Sequence, residues 1–249
     1  MNVTNLRAAA IPRDVARFAA GRRGASRQRE GLVQVSGLVR SSVGQKWLMA
    51  GSGAVLFGWL VLHAAGNLTA FSGPRAFDGY AASLRAVWPL LWAARVVLVA
   101  AAAIHVVTAV ALLRRARTAR GAGPAHTRTR AATIASRSMA LGGALLLAFI
   151  VFHLLHLTFG SAHPDFDAGA PYHNLVRGLA AAPMIALYSG AAALLGLHLF
   201  HGLYALPRTL GLLDGAARTR RRPIVGLVAV ALALGFAAVP IAVLLGVVR

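Results

Sequence analysis

Six of the nine histidines in this chain stand inside long apolar stretches. The densest case is AFIVFHLLHLTF, residues 148–159, which carries His153 and His156. His63, His105 and the pair His198 and His201 lie in three other stretches, and a fifth has none. An imidazole in hydrocarbon is costly and is ordinarily kept for a partner or a function. It can exchange hydrogen bonds, carry a proton or ligate a metal. The absence of cysteine removes disulfides, thiolate metal sites and covalent cofactor attachment through Cys-x-x-Cys-His. None of the five stretches contains a carboxylate, so zinc and di-iron sites, which in helical bundles draw on carboxylates, fit poorly.

The elements that carry these histidines follow from composition. The 249 residues are 58% hydrophobic and 13% charged, with a mean hydropathy of +0.67, where a soluble domain has roughly 25% charged residues. About 20 helical residues cross a bilayer core. The apolar runs match that length: I at 44–71, II at 90–113, III at 138–159, IV at 178–206 and V at 223–247. The fold class is therefore all-α, a polytopic membrane protein with five transmembrane helices. Arg95 and Trp92 open run II, as interfacial anchors do. Pro89 closes the loop after run I, Pro207 is expected to end run IV, Pro223 to open run V, and Pro240 to kink it. Segments 72–89 and 160–177 read as loops. Residues 1–40, with eight arginines and no sustained apolar run, read as a basic cytoplasmic segment preceding a membrane domain at 41–249.

The formal charge of +20 first suggests a nucleic-acid partner, but its distribution argues for topology. The segment through Lys46 and the loops at 114–137 and 207–222 hold twenty-one of the twenty-six basic residues. The positive-inside rule then places the N-terminus in the cytoplasm and the C-terminus outside, in a bacterial cytoplasmic membrane. Charge split among three short segments between spans does not make a DNA-binding face. A transporter is disfavoured too, because no broken-helix signal recurs in two halves.

Topology converts position into depth. Runs I and III travel outward, and His63 and His153 both fall roughly 9–12 Å from the outer ends of their helices. Runs II and IV travel inward, and His105 and His198 share a second, inner layer. One imidazole from each of two facing helices at a common depth is what bis-histidine ligation of a haem b requires, since the iron takes axial nitrogens on opposite faces of a flat apolar ring. Four of the five helices would then form a haem-binding bundle. Small residues near the ligands, Gly58, Ala64, Ala65, Gly66, Ala101, Ala102, Gly196 and Gly202, are candidates to make room for the ring. His156 and His201 each lie three residues after a preferred ligand, and are alternative ligands or contacts to a haem propionate or quinone. His163, His173 and His126 read as surface residues.

In RSSVGQKWLMAGSG at 40–53, LVLHAAGNL at 60–68, IHVV at 104–107, FIVFHLLHLTF at 149–159 and LHLFHGLY at 197–204, the chain resembles a known family. This is the cytochrome b membrane anchor of succinate dehydrogenase and fumarate reductase, in its single-subunit, five-helix, two-haem form. The resemblance covers about residues 36–248. It implies His63 and His153 as ligands of an outer haem b, and His105 and His198 as ligands of an inner one. It also implies a flavoprotein subunit and an iron–sulfur subunit on the cytoplasmic face, holding FAD and iron–sulfur clusters. Electrons would pass between them and a menaquinone-type quinone through the two haems, and the anchor would itself have no succinate site.

Some two-haem relatives move protons with membrane-embedded glutamates, whereas the one glutamate here is Glu30, outside the runs. Asp78, or the group His163, Asp165 and Asp167, is left for proton transfer at the outer surface. Candidate quinone contacts are Ser41, Ser42, Lys46 and Trp47 at the inner interface, and Asn67, Asp78 and His156 at the outer end. Two alternatives stand beside this reading: a haem-free structural anchor of the same complex, and a two-haem cytochrome b serving another membrane oxidoreductase.

Overall fold

The structure, a computed structural model, describes residues 41–118, 134–212 and 215–249, with backbone alone for 134–138 and 215–219. The segment 1–40, His126 with the loop 119–133, and residues 213–214 lie outside the described residues. The chain divides into two compact units, residues 1–45 and 46–249. The second holds nearly everything described below.

All regular structure among the described residues is helical. Helix α1 is Ser42–Leu68, followed by a 3-10 turn at Thr69–Ser72; α2 is Pro74–Ala86 and α3 is Trp88–Thr118. Helix α4, Ile134–His153, runs directly into a π turn at Leu154–Thr158. Then come α5 at Pro171–Leu179, α6 at Ala182–Thr209 and α7 at Gly215–Leu244. Five segments are long and apolar enough to cross a membrane: Ser42–Ser72, Trp88–Thr118, Met139–Thr158, Ala182–Thr209 and Arg220–Leu244. The protein is an all-α polytopic membrane protein.

Both segments expected to be loops contain a helix. Gly73, at φ +87°, takes a turn that side-chain-bearing residues rarely adopt, and Pro74 then opens α2 in a first turn where its missing N–H costs nothing. Pro171 opens α5 the same way, and α5 buries Tyr172, Asn174, Leu175, Gly178 and Leu179 on one face. Two further boundaries move. Pro207 lies inside α6, within its last turn, and Pro223 lies inside α7, which begins at Gly215. Pro223 stands eight residues past Gly215, beyond the first turn, so it forgoes one i→i−4 hydrogen bond without ending the helix.

Two kinds of packing hold the structure. At the end bearing α2 and α5, a compact core joins Ala70, Tyr172, Leu175, Leu179, Val239, Ala242 and Val248. Asp78 of α2 accepts the Tyr172 backbone N–H at 2.8 Å, satisfying one of the orphan donors at the start of α5. Asn174 locks the preceding loop by a reciprocal pair: it accepts from Asp167 N at 2.8 Å and donates to Asp167 O at 2.6 Å. His163 is half-buried and not a plain surface residue. Its Nδ1 accepts from Asp165 N at 3.0 Å, so its Nε2 carries the hydrogen and donates to Asn174 O at 2.8 Å. His173 is exposed and pairs with Asp165 at 3.0 Å, which Arg177 also approaches at 3.6 Å.

Within the spans, by contrast, most apolar side chains face outward, as lipid contact allows. No hydrophobic force drives helix association in lipid, so close approach depends on small residues. Helices α6 and α7 make the most extensive helix–helix contact among the described residues. A Cβ on Gly196 would lie 2.9 Å from Ala233 Cβ and 3.5 Å from Ala229 O. Gly66 does similar service, since its added Cβ would meet the Tyr80 ring at 2.7 Å. The opposite end of the spans gathers Arg114, Arg115 and Arg117 at the close of α3, Arg208 at the close of α6, and Arg220, Arg221 and Arg222 in the first turns of α7.

Gly196→Leu must push α6 from α7 and should cost about 1–3 kcal/mol. Gly202→Leu, with nothing within 4 Å of the added Cβ, should leave stability unchanged. Thermal unfolding of both variants in detergent compares them directly; equal melting would refute the close-contact account.

Candidate functional site

The structure brings the mid-span histidines together in two pairs. His63 of α1 faces His153, the last residue of α4, with ring centroids 5.9 Å apart and planes at 76°. His105 of α3 faces His198 of α6 at 6.2 Å and 60°. The pairs lie at different levels. Gly53 of α1 abuts His105 and precedes His63 by ten residues, and Tyr188 of α6 adjoins His153 and precedes His198 by ten. At 1.5 Å rise per residue, each helix separates the two levels by ~15 Å.

Aromatic side chains enclose the first pair. Trp59, one turn earlier on α1, stacks on His63 at 5.9 Å and 10°, and Phe236 of α7 meets the same ring at 5.7 Å. Phe149 stacks on His153 at 5.9 Å. The fifth span, without a histidine, thus contributes to the site through Phe236. Small groups flank the second pair. A Cβ on Gly53 would sit 3.3 Å from His105 Cε1, and one on Gly143 would sit 3.8 Å from His198 Cε1. Ser52 Oγ lies 3.3 Å from His105 Nδ1.

Of the small residues expected to make room for a ring, Gly196 and Gly66 are taken up by packing, whereas Gly58 and Gly202 have nothing within 4 Å of an added Cβ. Sequence reasoning did not single out Trp59, Phe149, Phe236, Tyr188 or Gly143, and reached Ser52 and Gly53 only as part of the small-residue cluster GSG at 51–53. Trp59 and Phe149 were within reach, because each precedes a paired histidine by four residues and so shares its face. The others come from a second helix, which no spacing along one helix announces.

Facing imidazoles set limits on what could bind. Imidazole nitrogens at ~2 Å from one metal place their ring centres ~6 Å apart, and both pairs have that separation. Among the described residues no group of three or more His, Cys, Asp or Glu side chains gathers as a metal site. A bare ion held by the protein alone needs more ligands than a pair provides. A metal that brings its own equatorial ligands needs only two axial nitrogens. The Nδ1 atoms of His153 and His198 are buried and have no hydrogen-bond partner among the described residues. The donor set and its spacing, with aromatic walls beside His63 and His153 and small residues beside His105 and His198, fit a haem b held by two histidines at each level.

His156 belongs to different surroundings. It is 1% exposed, within the π turn, and its Nδ1 pairs with the Tyr188 hydroxyl at 2.8 Å. Its ring also lies 5.2 Å from His163, under Gly178, where a Cβ would come within 3.0 Å of either imidazole. The π turn puts an extra residue between His153 and the turn beyond, and such insertions recur at functional sites. His201 is half-buried on α6, one turn beyond His198. Ser41 caps α1, its Oγ accepting the Gly44 N–H at 2.9 Å. Ser42, Lys46 and Trp47 are exposed in the first turns of α1, and Asn67 is half-buried at its far end. Asn67, Asp78 and His156 all lie toward that far end. Arg95 places its guanidinium 4.9 Å from the Trp92 ring centre. No family model, curated protein or solved structure matches the chain.

Removing the Tyr188 hydroxyl leaves a buried imidazole nitrogen unpaired, so Tyr188→Phe should destabilise by about 1–3 kcal/mol. Adding His156→Phe should recover part of that loss. A double-mutant cycle on unfolding in detergent reads the coupling, and strictly additive losses would contradict the 2.8 Å bond.

Proposed function

We propose that this chain is a two-haem cytochrome b, the membrane anchor of a succinate:quinone oxidoreductase. The observation that carries the proposal is that four spans each present one histidine, in two facing pairs at two levels. Haem b bound there would supply reversible one-electron chemistry. His63 and His153 would hold one group and His105 and His198 the other. Trp59, Phe149 and Phe236 offer apolar ring surface beside the first pair and help keep water out. Two levels ~15 Å apart divide a ~30 Å membrane core into steps that one carrier could not cover alone.

The succinate assignment rests on the resemblance carried by the motifs around His63, His105, His153 and His198. On that assignment, flavoprotein and iron–sulfur subunits dock at the arginine-bearing end, which faces the cytoplasm of a bacterium, and a menaquinone-type quinone is the membrane-side substrate. The basic surface formed by Arg114, Arg208 and Arg220–Arg222 suits an acidic partner or anionic lipid. A cytochrome b serving another oxidoreductase has the same site and differs in the subunits that copurify.

A haem-free anchor is the second reading, and a specific observation favours it. His63 and His153 already stack on aromatic rings of their own helices, and no group of three or more metal-ligating side chains gathers there among the described residues.

Reduced-minus-oxidised spectra and pyridine haemochrome on the purified complex separate the two. Two haems b per chain are expected, with one lost on changing His63, His105, His153 or His198 to alanine and none on His156→Phe. An intact quinone-reducing complex without haem establishes the second reading instead.

A further inference from the structure

Four polar side chains are buried among the described residues: Ser52, Thr108, His156 and Asn174. The last two belong to the packing around α5. Ser52 and Thr108 instead flank His105, one from α1 and one from α3. Ser52 Oγ lies 2.7 Å from the Leu48 carbonyl and 3.1 Å from that of Met49. A serine hydroxyl has one hydrogen, and the shorter contact takes it to Leu48. The oxygen lone pairs are then left for His105 Nδ1 at 3.3 Å, beside the Met49 carbonyl that also accepts from this imidazole, so the imidazole donates and its Nε2 bears the lone pair. Thr108 ties the same level together, donating to Ile104 O at 2.7 Å with Met49 Sδ at 3.8 Å. Gly53 keeps α1 close enough for the contact, with its added Cβ only 3.3 Å from the His105 ring. His153 and His198 have no such partner at Nδ1 among the described residues.

We propose that Ser52 is a positioning residue for His105, making the His105/His198 site electronically distinct from the His63/His153 site. By accepting the Nδ1 hydrogen, Ser52 joins the Met49 carbonyl in favouring the tautomer that leaves Nε2 free for a metal. It also makes that nitrogen a stronger electron donor, as outer partners of metal-bound histidines do. A stronger donor favours the oxidised metal, so this site has its potential lowered by Ser52. The inference rests on the haem assignment above and gives the two sites an order.

Redox titration of the purified complex, followed by haem counting, tests it in wild type, Ser52→Ala and Ser52→Thr. Ser52→Ala should keep two haems and raise one midpoint by a tenfold change in the oxidised-to-reduced ratio, about 59 mV for one electron. The other midpoint should stay in place, and Ser52→Thr should return the first to its original value. Two haems with unmoved midpoints in Ser52→Ala overturn the inference alone. It also fails if threonine behaves as alanine does, or if both variants lose haem, because space and not the hydroxyl would then matter. Wild-type complex without haem overturns the haem assignment, and this inference with it.

Discussion

An imidazole in the middle of a membrane needs a partner, and the spans set the four rings in two facing pairs while the Nδ1 atoms of His153 and His198 stay without a hydrogen bond among the described residues. Burying an unsatisfied polar group costs about 1–3 kcal/mol even in a protein interior, and lipid offers no water to relieve it. His63, His105, His153 and His198 each lie on a different span, and each ring finds another across the bundle. That pairing sets which helices face one another and at what level. Helix α1 must meet α4 near one end, and α3 must meet α6 nearer the other.

The rest of the molecule fixes the helices so that these meetings occur. Small residues bring α6 against α7 through Gly196, Ala229 and Ala233, and α7 in turn sets Phe236 against His63. At one end, α2 and α5 build a conventional apolar core beneath the loop that follows the π turn. Polar bonds pin that core: Asp78 to the start of α5, Asn174 to Asp167, and His163 to Asn174. His156 and Tyr188 link this cap to the His63/His153 level, since Tyr188 adjoins both His153 and His156. The His105/His198 level lacks such aromatic enclosure and relies on glycines and the Ser52 hydroxyl instead. The two levels are chemically different, although each presents one imidazole pair.

Much of this was legible in the chain because membrane helices make sequence position a measure of depth. Run length gave five spans, and the depth of each histidine gave the partners His63 with His153 and His105 with His198 that the structure brings together. Short amphipathic helices between spans were not legible: α2 and α5 are only 13 and 9 residues long and were hidden behind the turn signals of Gly73–Pro74 and Pro171. Prolines misled at α6 and α7, where Pro207 and Pro223 lie inside helices and not at their ends. Roles that depend on a second helix were out of reach. Gly196 looks like room for a ring and is instead a packing point, while Gly53 and Ser52 owe their importance to His105, 52 and 53 residues further along. His163 read as a surface residue because its partners, Asp165 N and Asn174 O, are backbone groups that carry no side-chain signature.

The central claim is that each pair of histidines holds one metal between them. Electron paramagnetic resonance of the oxidised, purified protein addresses it most directly, because it reports the axial ligands themselves. The imidazole planes stand at 76° and 60° in the two pairs, so the account predicts low-spin ferric signals of strongly anisotropic, bis-imidazole type from two sites. A high-spin ferric signal that converts on adding cyanide would mean an open axial position and would contradict the pairing. So would the absence of any ferric signal from an intact complex.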